Sequence, residues 1–221
     1  MEGDKLLISE GHTRSAKKIL EVILPEIKKT EKYTISVGGE SGAGKSEIAY
    51  EIWRLLKEKG IPADIIQADD YFIFPARTTH EMRKKNIDQV GMFECKLDFM
   101  EANLRSFKKG DRDIYKPLSI YDENRLTTEI KEVGHLKVLI AEGTYVTTLK
   151  FVDCHIFIDR NYHDTRKHRE TRARDILDDL MTNILEREHK IVREHKKLAE
   201  IVVKKDYSDI EIQKKPVPTA L

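Results

Sequence analysis

A chain of 221 residues fits one α/β domain with a small inserted excursion, and at 39% hydrophobic residues it can bury a real core. Charged residues make up 36% of it, yet 40 basic side chains balance 39 acidic ones, and the net charge of +1 gives no global field for nucleic acid or an anionic membrane. Those balances exclude a bulk electrostatic partner and leave only local basic clusters.

No apolar run approaches transmembrane length, and Cys95 and Cys154 fit no metal or redox spacing. The expectation is a soluble, cytoplasmic protein with two buried thiols. Along the chain, Thr13 to Lys29 carries apolar residues at Ala16, Ile19, Leu20, Ile23 and Ile27, which predicts an amphipathic helix bent at Pro25. The β-rich run Tyr33 to Val37 then leads into Gly39-Glu40-Ser41-Gly42-Ala43-Gly44-Lys45-Ser46, a G-x-x-x-x-G-K-S phosphate loop. After it, Glu47 to Lys59 sets Ile48, Ala49, Ile52, Trp53, Leu55 and Leu56 on one helical face.

A strand entering such a loop and a helix leaving it aim backbone N–H groups and a helix N-terminus at one point, which suits a polyphosphate. Gly39, Ser41, Gly42, Ala43, Gly44, Lys45 and Ser46 form the expected cradle. Lys45 would reach the β- and γ-phosphates, and the Ser46 hydroxyl would hold Mg²⁺.

Gly60 ends the helix, and Ala63 to Ala68 predicts the next strand, taken to lie beside the phosphate-loop strand and to deliver Asp69 and Asp70 at its end. Residues 71–95 lack clean periodicity and are expected to form a mobile or partly helical loop over the site. Leu97 to Lys109 is a helix closed by Gly110, and Ile114 to Lys131 suggests a short β-excursion. Leu136 to Ala141 is a buried strand ending in Glu142-Gly143, and Cys154 to Ile158 another ending at Asp159. From Asn161 the chain is expected to be helical, with Ile176, Leu177, Leu180, Met181, Ile184 and Leu185 on one face. Ala199 to Val203 is taken as the last strand and residues 206–221 as a frayed tail. The segment 176–199 packs either within the fold or against a second subunit, so a homo-oligomer is one of two expectations.

Strand ends at the carboxyl edge of a parallel sheet gather ligands. A phosphotransferase needs a carboxylate near the acceptor hydroxyl and acidic or hydroxyl groups at Mg²⁺; Asp69 suits the first task and Glu142 the second. On the helix that follows Asn161, Arg166, Arg169 and Arg172 form a one-faced basic stripe, with Arg174 elsewhere, able to neutralise a moving phosphoryl group. His189 and His195, six apart, read as a solvated face. A GTPase is disfavoured: Asp88-Gln89-Val90-Gly91 matches D-x-x-G without a preceding strand, and no N-K-x-D motif occurs.

The phosphate loop, Gln67-Ala68-Asp69-Asp70-Tyr71-Phe72, Pro117 to Asp122, Ile140-Ala141-Glu142-Gly143 and Asp164 to Asp175 occur in this order, and together they resemble the uridine kinase/phosphoribulokinase family of P-loop kinases over residues 33 to about 203. The resemblance implies a parallel sheet flanked by helices, one kinase domain with an acceptor-binding excursion, and a helical lid at 161–176. It further implies transfer of the ATP γ-phosphate to a hydroxyl of a nucleoside or related metabolite. By it Asp69 is the base, with Lys45 and Arg169 also catalytic; Arg169 and Arg174 serve the phosphates from the lid; Tyr71, Tyr121 and Arg125 face the acceptor; Ser46 and Glu142 serve Mg²⁺. Where uridine kinases carry a histidine-containing segment, Tyr121-Asp122 runs straight into Glu123-Asn124-Arg125, and the lid helix is one residue longer between Arg169 and Arg174. The resemblance is therefore closer on the donor side. Pantothenate, a sugar phosphate, glycerate or a nucleotide-sugar are alternative acceptors, and a catalytically silent nucleotide-binding module is a further alternative, against which Lys45, Ser46, Asp69 and Glu142 all argue.

Overall fold

A computed structural model describes residues 6–165 and 179–213. Helix α1 (Glu10–Lys29) leads to β1 (Tyr33–Gly39), α2 (Lys45–Glu58) and β2 (Ala63–Gln67). Helices α3 (Ala76–Lys85) and α4 (Leu97–Lys109) precede a hairpin of β3 (Asp113–Ile120) and β4 (Arg125–Glu132). Then follow β5 (Val138–Gly143), β6 (Cys154–Ile158), α5 (Asp179–Val192), β7 (Ile201–Val203) and β8 (Ile210–Ile212).

The main sheet has the order β2-β5-β1-β6-β7-β8, parallel except for β8. Both faces are covered, which is why β5 is apolar throughout its first four residues. Its side chains alternate: Val138 and Ile140 join the core under α1 and α2, while Leu139 and Ala141 join the core that includes Met100, Leu104 and Phe107 of α4. Each such Leu or Ile contributes about 1.5–3 kcal/mol through burial. The described part of α5 lays Met181, Ile184, Leu185 and Val192 against this fold. Cys95 and Cys154 are buried free thiols.

Three expectations change, and of the two readings of 71–95 the partly helical one holds. β2 does not lie beside the phosphate-loop strand, because β5 inserts between them. Helix α1 begins three residues earlier than expected, because Ser9 and His12 close a reciprocal cap: Ser9 Oγ accepts from the His12 N–H at 3.4 Å and His12 Nδ1 from the Ser9 N–H at 3.1 Å. Residues 71–95 are mostly α3 and 3₁₀ turns, and Arg83 ties them together by a paired bond to Glu94 at 2.8 and 2.9 Å. The tail is ordered as far as β8, which pairs antiparallel with β7, and Tyr207 before it is buried. The expected lid arginines, Arg169 and Arg174, together with Arg166, Arg172, Ile176 and Leu177, lie outside the described residues.

Candidate active site

The phosphate loop turns on Gly42 (φ 75°) and Gly44 (φ 89°), left-handed conformations that favour glycine. Gly44 caps α2 without a side-chain bond, so the first N–H groups of the helix point outward at the loop. There is no room for a Cβ at Gly44: it would lie 2.4 Å from the Tyr207 hydroxyl. That hydroxyl donates to the Ala43 carbonyl at 2.6 Å and accepts from Arg160 Nη1 at 2.8 Å, while the His12 ring packs edge-on against Tyr207. The first helix and the end of the sheet thus brace the loop from behind.

Inside the loop, Lys45 Nζ donates to the Glu40 carbonyl at 3.0 Å, which holds its ammonium at the mouth. Glu40 is itself buried; its Oε2 accepts from the Tyr162 N–H at 2.8 Å, and its Oε1 pairs with His189 Nδ1 at 2.6 Å. Thr165 Oγ1 donates to the Ser41 carbonyl at 3.2 Å. The chain entering the 166–178 segment and the helix leaving it are therefore both fastened to the loop. His189 is not on a solvated face, because it pairs with Glu40, and neither is His195, which is buried edge-on against Tyr145.

Register puts Glu142 at the centre: it aligns with Val37 of β1 on one side and Gln67 of β2 on the other. Ser46 Oγ donates to Glu142 Oε1 at 3.2 Å, and Gln67 Nε2 donates to the same oxygen at 3.1 Å. Burial first, then the charge of Asp69, pushes the Glu142 carboxyl up to about 7, while Lys45 pulls it down. A cation placed here would reverse that balance. A hydroxyl and a carboxylate are the hard oxygen donors that Mg²⁺ takes, so the residues fit the ion. Among the described residues no group of three or more His, Cys, Asp and Glu side chains could hold a metal.

Asp69 and Asp70 part company on the 3₁₀ turn Ala68–Tyr71. Asp70 turns inward, accepting from Lys116 Nζ at 2.9 Å and the Ser119 N–H at 3.0 Å, and so anchors the hairpin. Asp69 is exposed and lines a cavity of about 240 Å³ together with Ser41 of the loop, Tyr121, His80, Arg83 and Glu188. Tyr71 is turned into the core, where its hydroxyl accepts from Asn103 Nδ2 at 2.8 Å; it does not face this cavity. Arg125 is exposed at the start of β4 and paired with Glu123 at 2.9 Å, and it too is absent from the lining. Of the residues expected at the acceptor, the structure brings together Asp69 and Tyr121. Glu40, Arg83, Glu188 and His189 were not foreseen. A second cleft, about 480 Å³, is lined by Ser46 and Glu142 and runs between α2 and the hairpin.

The 3₁₀ turn can cross β5 to bring Asp69 to the loop only because residue 143 is glycine. A Cβ there would sit 2.3 Å from that of Ala68, on a backbone at φ 155°. Gly143→Ala should cost roughly 2–4 kcal/mol of stability, from overpacking plus backbone strain. Urea unfolding would measure it, and a loss below about 0.5 kcal/mol would contradict the contact.

A parallel sheet feeding this loop, with carboxylates gathered at the ends of its strands, defines a P-loop kinase fold. The chain belongs to the phosphoribulokinase/uridine kinase family, whose model matches residues 34–217. These kinases transfer phosphate to hydroxyl acceptors. The uridine kinase of Leuconostoc citreum (strain KM20) is 26% identical over 182 residues, 76% of this chain and 85% of that one. That of Clostridium novyi (strain NT) is 31% identical over 130 residues, 57% and 60% of the two chains. In fold, the chain superposes on D-glycerate 3-kinase from Cryptococcus neoformans var. grubii with a TM-score of 0.63 at 13% identity, covering 93% of this chain and all (100%) of that one. No helix among the described residues is long and apolar enough to cross a membrane.

Proposed function

We propose that this protein is a cytoplasmic enzyme that transfers the γ-phosphoryl group of ATP to a hydroxyl of a small metabolite, with a nucleoside as the favoured acceptor. The observation that carries the reading is the shared cavity: Ser41 of the phosphate loop and the exposed Asp69 carboxylate line the same space. The loop amides and Lys45 hold the β- and γ-phosphates, and Asp69 accepts the proton of the attacking hydroxyl. Mg²⁺, held by Ser46 with Glu142 beside it, would neutralise charge on the phosphates when bound. Tyr121 borders the acceptor, and Arg169 and Arg174 would serve the phosphates. Catalysis in this reading is mostly positioning and charge neutralisation.

The two uridine kinase relatives support a nucleoside. A different hydroxyl acceptor is the second reading. It is favoured by the tight connection between β3 and β4, where Asn124 takes φ 48° and no histidine is present. Label from γ-labelled ATP should appear in a nucleoside and vanish when Mg²⁺ is chelated. Label in pantothenate, a sugar phosphate or glycerate alone would establish the second reading. The absence of label in every acceptor would reject kinase activity altogether.

A further inference from the structure

We propose that the acceptor cavity selects hydroxyl acceptors that carry no negative charge, and that Glu188 is the residue that sets this preference. The inference rests on the reading of the Asp69 cavity as the acceptor site. Glu188 lies on the buried stripe of α5, is 7% exposed, and lines that cavity. Its helical neighbour His189 is held by Glu40 of the phosphate loop, so the backbone that presents Glu188 is fixed relative to the donor side.

Among the described lining residues carboxylates outnumber guanidinium groups two to one, and the Lys45 ammonium of the phosphate loop also acts on Glu188. Arg83 is already committed: its Nε and Nη2 bond Glu94 at 2.8 and 2.9 Å, and Nη2 lies 3.4 Å from Glu188 Oε1. Among the described lining residues, Asp69 and Glu188 stand against Arg83, and His80 is the other group able to carry positive charge. With Glu94 behind the wall, one guanidinium serves two carboxylates before any acceptor arrives. A phosphate or carboxylate on the acceptor would meet like charge and would have to displace Glu94 or Glu188 from Arg83. A neutral acceptor instead offers an O–H or N–H donor to the Glu188 carboxylate, which accepts it. Burial raises the Glu188 carboxyl above its ordinary range, while the charges of Arg83 and then Lys45 pull it back toward the carboxylate. The preference is thus built by repulsion of the wrong acceptor as well as attraction of the right one.

The test uses pairs differing in charge, glycerol against glycerate and pantothenol against pantothenate, with uridine as a further neutral acceptor. For each pair turned over, wild-type kcat/KM should be at least about tenfold higher for the neutral member. Glu188→Gln keeps the shape and removes the charge, and it should narrow that ratio by about tenfold. An anionic member used as well as or better than its neutral partner overturns the proposal while leaving the kinase reading intact. An unchanged ratio in Glu188→Gln overturns the assignment to Glu188. Transfer to no acceptor of either kind rejects the kinase reading and the proposal with it. Should Glu188→Gln fail to fold, the wild-type ratios alone decide the preference, and Glu188→Asp, which keeps the charge but retracts it, decides the residue by a shift in the same ratio.

Discussion

Asp69→Asn should lower kcat by about 10²–10⁴-fold while leaving ATP affinity within a small factor of wild type. The amide matches the carboxylate in shape but cannot accept the acceptor's proton, so the loss falls on the chemical step and not on the fold. Asp69 is exposed to the cavity and, among the described residues, anchors no element, which makes the substitution clean. Asp70→Asn is the contrasting control. That neighbour is buried on Lys116 and the Ser119 N–H, and removing its charge leaves the Lys116 ammonium, also buried, with Glu129 as its remaining ion pair. It should lose stability, by about 3 kcal/mol or more, before it loses chemistry. Steady-state turnover, nucleotide titration and thermal unfolding of both variants separate the two roles. Turnover of Asp69→Asn within about threefold of wild type would remove Asp69 as the base.

The donor half was legible in the sequence because its chemistry is local. Gly42 and Gly44 are required by positive φ, and Lys45 and Ser46 follow at fixed spacing on the same turn. The place of Glu142 was legible too, since a buried strand ending in an acidic residue delivers it to the carboxyl edge of the sheet, where Ser46 meets it. What spacing could not carry is topology and pairing. Nothing in the order of strands says that β5 inserts between β1 and β2, so Asp69 reaches the site over Gly143 and not from an adjacent strand. A 3₁₀ turn in place of extended strand turned Tyr71 into the core and Asp70 toward the hairpin. Glu40 and His189 are 149 positions apart and look like an arbitrary loop residue and a surface histidine until α5 packs. Glu188 did leave a trace: with Met181, Ile184, Leu185 and Val192 it falls on the apolar stripe of α5, and a carboxylate in a buried stripe signals a site.

Lys45→Ala should lower kcat/KM for ATP by roughly 10³-fold or more, because it removes the one cation the loop itself aims at the phosphates. In the structure this ammonium is held 3.0 Å from the Glu40 carbonyl, and Glu40 is in turn fixed by Tyr162 and His189, so its position is set before nucleotide arrives. Such preorganisation is what makes a charge worth more in the transition state than in the bound ground state. The helix N-terminus and the loop amides persist in the variant, so ATP affinity should weaken less than kcat/KM falls. Lys45→Arg should not rescue it: a planar fork does not replace a compact ammonium in a loop this tightly braced by Tyr207 and Glu40. Turnover that survived Lys45→Ala with ATP as donor would mean that the phosphate loop is not the donor site, and the roles given to Ser46 and Asp69 would fall with it.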